Sequence, residues 1–329
     1  MKARSTIPLL IAALIMLLIA AVAIGPVALS AGAFFDGLTG GDRMASAIVF
    51  EVRLPRAIAS ALAGLALGAS GAAMQGLLRN PLAEPGVMGV SASAALGATA
   101  SVYFGPAVSL PWAVPLASLA GALAATALIA GASLRLRGVA TLILVGVALS
   151  SLAGAIMALF VNLAPNPFSL SDLINWTAGS VANRDWGDIA TALPFIGGGV
   201  AVLMLARGSL TALSFGEEAA HGMGVDLRRS RMLVILGTGL ATGGAVALAG
   251  MIGFVGLVAP HMVRGFVGYD PGRAILPSAL AGACLLVLAD IAIRLFPWGN
   301  ELHLGTLAAL IGAPMFVAIA LRLGTVRHG

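Results

Sequence analysis

Few residues in this chain have the type and spacing to do chemistry. Asp290 is the one acid well inside an apolar run, and Arg294 follows four residues later on the same helical face, where the two can pair. The four histidines, His221, His261, His303 and His328, fall on separate segments without the spacing of a metal site. No serine, cysteine or histidine constellation suggests hydrolysis. Cys284 is the only cysteine, so no intrachain disulfide forms, and it reads as a small packing residue. A P-loop needs a lysine after a glycine-rich turn to reach phosphates, and the only lysine here is Lys2. The chain therefore has no such nucleotide site, is not an enzyme in its own right, and would draw any ATP-driven work from a separate chain. Ion-coupled transport, the alternative class, calls for carboxylates or histidines at mid-membrane, which are nearly missing. A non-transporting membrane scaffold is allowed by composition alone.

The elements that carry these residues are set by the solvent. With 60% hydrophobic residues, 9% charged and a mean hydropathy of +1.04 over 329 residues, the composition is that of a polytopic membrane protein. A spanning helix needs ~20 mainly apolar residues. Cutting at charges, prolines and turn clusters predicts ten segments, roughly 7 to 30, 57 to 78, 86 to 104, 112 to 133, 139 to 162, 189 to 207, 231 to 250, 254 to 268, 274 to 296 and 305 to 322. The cut between the seventh and eighth, at "GMIGFVG", is the weakest. With a cytoplasmic N-terminus, thirteen basic residues fall inside (Lys2, Arg4, Arg79, Arg135, Arg137, Arg207, Arg228, Arg229, Arg231, Arg264, Arg273, Arg322, Arg327) and five outside (Arg43, Arg53, Arg56, Arg184, Arg294). That asymmetry satisfies the positive-inside rule and puts both termini in the cytoplasm. The basic residues are scattered singly, which argues against nucleic acid as a partner.

Glycine numbers 43. Gly64, Gly68 and Gly71 in "AGLALGASGAAMQG", and Gly237, Gly239, Gly243 and Gly244 in "GTGLATGGAVALAG", would let backbones approach, which is how membrane helices pack tightly. The expected fold is an all-α compact bundle. The two glycine stretches would cross the membrane in opposite senses, the pattern of an inverted repeat. Two connections stand out. "RNPLAEPGVMG", residues 79 to 89, puts charged residues and two prolines between apolar runs, so it should be extended and non-helical. "LSFGEEAAHGMGVDLRRSR", residues 213 to 231, reads as a short helix opened by a capping box of Ser214 and Glu217, then a break and a basic run, suited to docking a partner.

Several stretches together resemble the FecCD type of permease subunit, from ATP-binding-cassette importers for iron siderophores, haem and cobalamin. They are "RLPR" at 53 to 56, "GAAMQGLLRNPLAEPGVMGVSASAALGA" at 71 to 98, "LILVGVALS" at 142 to 150, "GEEAAHGMGV" at 216 to 225, "GFVGLVAPHMVR" at 253 to 264 and "IGAPMF" at 311 to 316. The resemblance implies a single transmembrane permease domain over 1–329 with type II importer architecture, multi-pass in the bacterial inner membrane. It implies a homodimer with one pathway at the dimer interface, two ATP-binding subunits below, a periplasmic substrate-binding protein above, and no cofactor. Asn80 and Leu82 match the positions of a cytoplasmic gate, and "GVATL" places Val139, Ala140 and Thr141 at a second. Ser214, Glu217, Glu218 and Gly224 match the ATPase-docking segment. Arg53, Arg56 and Arg294 match arginines that pair with glutamates of the binding protein. Met157 and Phe160, on the fifth helix, are candidates for touching cargo. Ferric siderophore is the favoured cargo, with haem and cobalamin behind it.

Overall fold

The computed structural model describes residues 3–25, 27, 29–105, 110, 112–135, 139–163, 171, 174, 176–295 and 302–326. Lys2, Arg137, Arg327 and His328 lie outside them. The helices in chain order are α1 Ala3–Ala23, α2 Ala31–Thr39, α3 Arg43–Ala47, α4 Leu54–Leu78, α5 Val90–Tyr103, α6 Ala113–Arg135 and α7 Val139–Asn162. They continue with α8 Trp186–Leu205, α9 Arg207–Leu213, α10 Glu217–Gly222, α11 Leu227–Ala249, α12 Val255–Val263, α13 Pro271–Leu295 and α14 Leu304–Val326. A π-helical stretch, Ile48–Arg53, joins α3 to α4 without interruption. Among the described residues, seven helices are long and apolar enough to cross a membrane, and α12 and α14 carry shorter apolar stretches. With α5, of 14 residues, they answer to the ten segments expected.

At the centre are α4, α11 and α13, each buried along most of its length. Glycine is the reason they come so close. A β-carbon on Gly64 or Gly68 would strike the backbone of Gly282 or Ser278 on α13, and one on Gly71 would strike the carbonyl of Gly256 on α12. On α11, Gly239 and Gly243 accommodate Thr126 and Ala122 of α6, and Gly237 and Gly244 receive α8. The neighbours of the two glycine helices correspond. Where α4 packs on α13 and α12, α11 packs on α6 and α5, and the two run antiparallel against each other. These paired neighbours are compatible with the inverted repeat expected from the two glycine stretches.

Several boundaries move. The first helix stops at Ala23 instead of continuing to 30, and α2 follows as a separate helix whose first turn is capped by Ser30, which accepts from Ala33 N at 3.2 Å. The second span starts well before 57, because Arg53 and Arg56 sit inside continuous helix. The basic run 228–231 is the first turn of α11, opened by Asp226, whose carboxylate accepts from Arg229 N at 3.0 Å. The break at "GMIGFVG" is real: Gly250 and Phe254 carry φ of 70° and 66° and residues 250–254 are non-helical.

Candidate functional site

Four of the motif stretches meet around the α4–α5 connection. Arg79 ends α4 in a left-handed conformation, φ 47°. Asn80 Oδ1 then accepts from Leu82 N at 3.0 Å, an Asx turn that turns the chain back toward the bundle. Leu82 packs on Leu257 and Val258 of α12, together with Met315 and Phe316 of "IGAPMF". Beyond it, Glu84 Oε1 accepts from Phe254 N at 2.9 Å. Glu84 lies outside the spanning helices; burial raises its carboxyl pKa, and the Phe254 amide pulls it back. Pro85–Met88 forms a 3-10 turn closed by Gly89, φ 73°, and Gly146 of "LILVGVALS" is bare where Val87 and Met88 come against α7. The connection therefore touches α7 and α12 at once, and α14 packs on the same two residues of α12. Non-helical backbone within a membrane bundle is tolerated where protein or a water-filled cavity surrounds it, and here protein packs around it. A cavity of ≈ 260 Å³ opens beside it, lined by Gln75, Arg79, Asn80, Ser214, Arg264 and Asp270 among others.

The remaining gate and pathway candidates lie on α7. Val139 and Ala140 begin the helix, but their side chains lie outside the described residues; Thr141 is half-buried in the first turn. Met157 is half-buried. Phe160 is engaged in packing: its ring stacks on Tyr103 with centroids 4.7 Å apart and meets Phe104 edge-on at 5.8 Å. Most of α7 is uncovered by the rest of the chain.

The segment expected to dock a partner lies at the same end of the bundle as Arg79 and the cavity. Its helix, α10, forms where expected, but the capping box does not. Ser214 terminates α9, its hydroxyl donating to the Thr211 carbonyl at 2.6 Å, and the N-cap of α10 is Gly216, φ 104°, with no side-chain cap. A glycine in the left-handed region was needed to turn two helices end to end, and it took the place the serine was expected to fill. Glu217 and Glu218 are exposed on the first turn, Ala220 is buried as the anchor, and Gly224 at φ 82° closes the segment. Phe215 and Met223 flank α10 and are 72% and 56% exposed, a pair of apolar side chains with no cover in this chain. Sequence reasoning passed over them because single apolar residues do not stand out in so apolar a chain. The segment is tied to the spans at two points: Thr211 Oγ1 donates to Asp270 Oδ1 at 2.7 Å at the start of α13, and Ser209 and Ser230 hydroxyls pair at 2.8 Å on α11.

At the opposite end the three arginines come together, but not as exposed charges. Arg53 and Arg56 are 3% and 9% exposed. Arg53 donates to the carbonyls of Val22, Ala23 and Val27 at 2.6 to 3.0 Å. Arg294 donates to those of Ala21 and Ile24 at 2.8 and 2.7 Å. The last carbonyls of α1, which no further turn of helix satisfies, are thus capped by guanidinium groups from the π-helical stretch before α4 and from α13. Asp290 is held by both remaining partners, at 2.9 Å from Arg56 Nη2 and 2.8 Å from Arg294 Nη2. The Asp290–Arg294 pair expected from spacing is present, and helix-end carbonyls and one carboxylate take up all three arginines inside this chain. Among the described residues, no three His, Cys, Asp or Glu side chains gather to hold a metal ion.

Known proteins resemble this chain in sequence and fold. A Bacillus subtilis (strain 168) protein, the uncharacterized ABC transporter permease YvrB, is 39% identical over 88% of this chain and 83% of its own length. The vitamin B12 import system permease BtuC of Vibrio cholerae is 41% identical over 84% of this chain and 83% of its own. Among solved structures, an inward-facing metal-chelate type ABC transporter superposes with a TM-score of 0.86 at 28% identity, covering 97% of this chain and 99% of that one. PsaBC from Streptococcus pneumoniae shares the fold alone, with a TM-score of 0.52 at 18% identity. The model of the FecCD transport family matches residues 13–322, and the chain belongs to that family: it is a multi-pass ABC transporter permease.

Proposed function

We propose that this chain is the membrane subunit of an importer that moves a bulky metal chelate from periplasm to cytoplasm, as a homodimer driven by two separate ATPase subunits and fed by a substrate-binding protein. The observation that carries it is α10, an exposed short helix bracketed by left-handed glycines, flanked by uncovered Phe215 and Met223, and joined to α9, which is tied to α11 and to the start of α13. Such a helix transmits a push: closure of the motors displaces it, and the spans it is bonded to rock between inward- and outward-open states. The arginine asymmetry supports placing this end, and both termini, in the cytoplasm of a cell whose inner membrane holds the protein. Asn80 and Leu82, with Val139, Ala140 and Thr141 of a second copy's facing helix and its own, form the inner gate. Met157 lines the pathway, and Phe160, already stacked on Tyr103, is the weaker pathway candidate. At the periplasmic end Arg53, Arg56 and Arg294 serve the binding protein by fixing the surface that α1, α4 and α13 present.

Relatives named for vitamin B12 move the preferred cargo from a ferric siderophore to cobalamin. The siderophore is the second reading, because the solved neighbour is of metal-chelate type. Proteoliposomes holding the permease with its ATPase decide between them: ATP hydrolysis and uptake are followed with the binding protein empty or loaded with cobalamin, a ferric siderophore or haem. Cobalamin uptake is expected. Uptake of the siderophore alone would reverse the preference, and failure of every chelate would remove the chelate reading.

Docking makes its own prediction. Gly224→Val forces a β-branched residue into left-handed backbone, at about 1–2 kcal/mol, and should weaken ATPase binding to the permease roughly tenfold, measured by co-purification titration. Binding equal to wild type would show that the ATPase does not read the shape of this segment.

A further inference from the structure

One side chain joins the two non-helical breaks of the bundle. Glu84, in the α4–α5 connection, accepts from the amide of Phe254, the residue preceding α12. That amide is one of the orphan donors of a helix N-terminus, and no side chain of its own segment caps it. A carboxylate at this point also meets the positive end of the α12 dipole. Phe254 itself sits at φ 66°, a conformation that phenylalanine takes only where its surroundings impose it. Two neighbours do so. Glu84 fixes the amide, and Gly312 of α14 lies so close to the Phe254 side chain that a β-carbon there would collide with it. Next to Phe254 is an apolar cavity of ≈ 320 Å³ between α12, α13 and α14, lined by Leu288, Leu307 and Ile311 among others. A strained residue with open space beside it has somewhere to go once its amide is released.

The connection that carries Glu84 also carries Asn80 and Leu82, and its far end rests on Gly146 of α7. We propose that Glu84 is a positioning residue of the gate: its bond to the Phe254 amide sets the α4–α5 connection in register with α12 and α14, so that gate and bundle move together. Without the bond the connection shifts independently, and the gate opens out of step with the motors. The bond stands on geometry alone; its transport consequence rests on the importer reading above. Glutamine at position 84 keeps an acceptor oxygen at the same reach, whereas alanine removes it, so the pair separates the hydrogen bond from the charge.

Two measurements test this. In the purified permease, hydrogen exchange followed by mass spectrometry over residues 250–256 should quicken by about ten- to a hundredfold in Glu84→Ala, which leaves the part-buried Phe254 amide without its acceptor, and stay near wild type in Glu84→Gln. In the complex with ATPase and binding protein, the ATP hydrolysed per cargo molecule imported should rise by about two- to thirtyfold in Glu84→Ala and little in Glu84→Gln. If Glu84→Ala does not assemble, Glu84→Asp, one methylene short of the amide, takes its place with the same expectation. Unchanged exchange would overturn the bond as a restraint. Faster exchange with an unchanged ratio would overturn its role in the gate. A wild-type complex that hydrolyses ATP and imports no chelate would sink the importer reading instead, and the exchange result would still decide the bond.

Discussion

Replacing Asp290 with alanine is expected to destabilise the permease by about 3–5 kcal/mol, because it strands two buried guanidinium groups without their counter-charge. The carboxylate is 1% exposed, and the arginine side chains beside it, Arg294 and Arg56, are 1% and 11% exposed. Water cannot take over the role. Arg294 is further committed to the carbonyls of Ala21 and Ile24, so any movement it makes to relieve its charge also uncaps α1. The control is Arg56→Leu, which leaves Asp290 paired with Arg294 and should cost only about 1–3 kcal/mol. Asp290→Asn, which keeps the shape and loses the charge, should fall between the two. Thermal unfolding of the detergent-solubilised permease, followed by size-exclusion chromatography, ranks the three. Equal midpoints for Asp290→Ala and Arg56→Leu would mean that the shared carboxylate is not what neutralises the cluster.

This cluster also shows where sequence reasoning stops. The spacing of Asp290 and Arg294 gave their pairing, since residues four apart share a helix face. Nothing local says that Arg53 and Arg56 lie within helix, because cutting at charges near a segment's end assumes that those charges belong outside. They are inside because partners 30 and 234 residues away in sequence satisfy them. Long-range partners are what a one-dimensional reading lacks. The end of α1 is different: Gly25 and Pro26 follow just past it, a local stop signal, and what the sequence does not show is that Arg53 and Arg294 take the carbonyls left open there.

The helix count and the α4–α5 break were legible for a simpler reason. Apolar length and proline are local signals, and in lipid they are nearly decisive. The capping box at Ser214 failed on an equally local matter. Its serine and glutamate have the right spacing, but the intervening Gly216 takes a left-handed conformation that serves as the turn itself. The meeting of Leu82, Met315 and Phe316 on Leu257 and Val258, by contrast, had no sequence signal beyond family resemblance.

Glycine offers the sharpest test of the packing, because the same substitution is expected to act in opposite directions on two spanning helices. At Gly71 of α4, a methyl group would meet the backbone carbonyl of Gly256, which cannot rotate away as a side chain would. Gly71→Ala should therefore cost about 1–3 kcal/mol by overpacking, and Gly71→Leu more. At Gly197 of α8 a β-carbon meets nothing within 4 Å. There Gly197→Ala should be neutral or stabilise by up to about 1 kcal/mol, through helix propensity alone. The functional consequence differs as well. Displacing Gly256 shifts the start of α12, where Phe254 bonds Glu84 and Leu257 and Val258 receive Leu82, so any Gly71→Ala protein that survives should import poorly for its amount in the membrane. Unfolding midpoints and uptake per folded permease, measured side by side, check both halves. Matching midpoints for Gly71→Ala and Gly197→Ala would mean that α4 and α12 are not packed backbone to backbone, and the gate proposed at Leu82 would then lack a rigid floor.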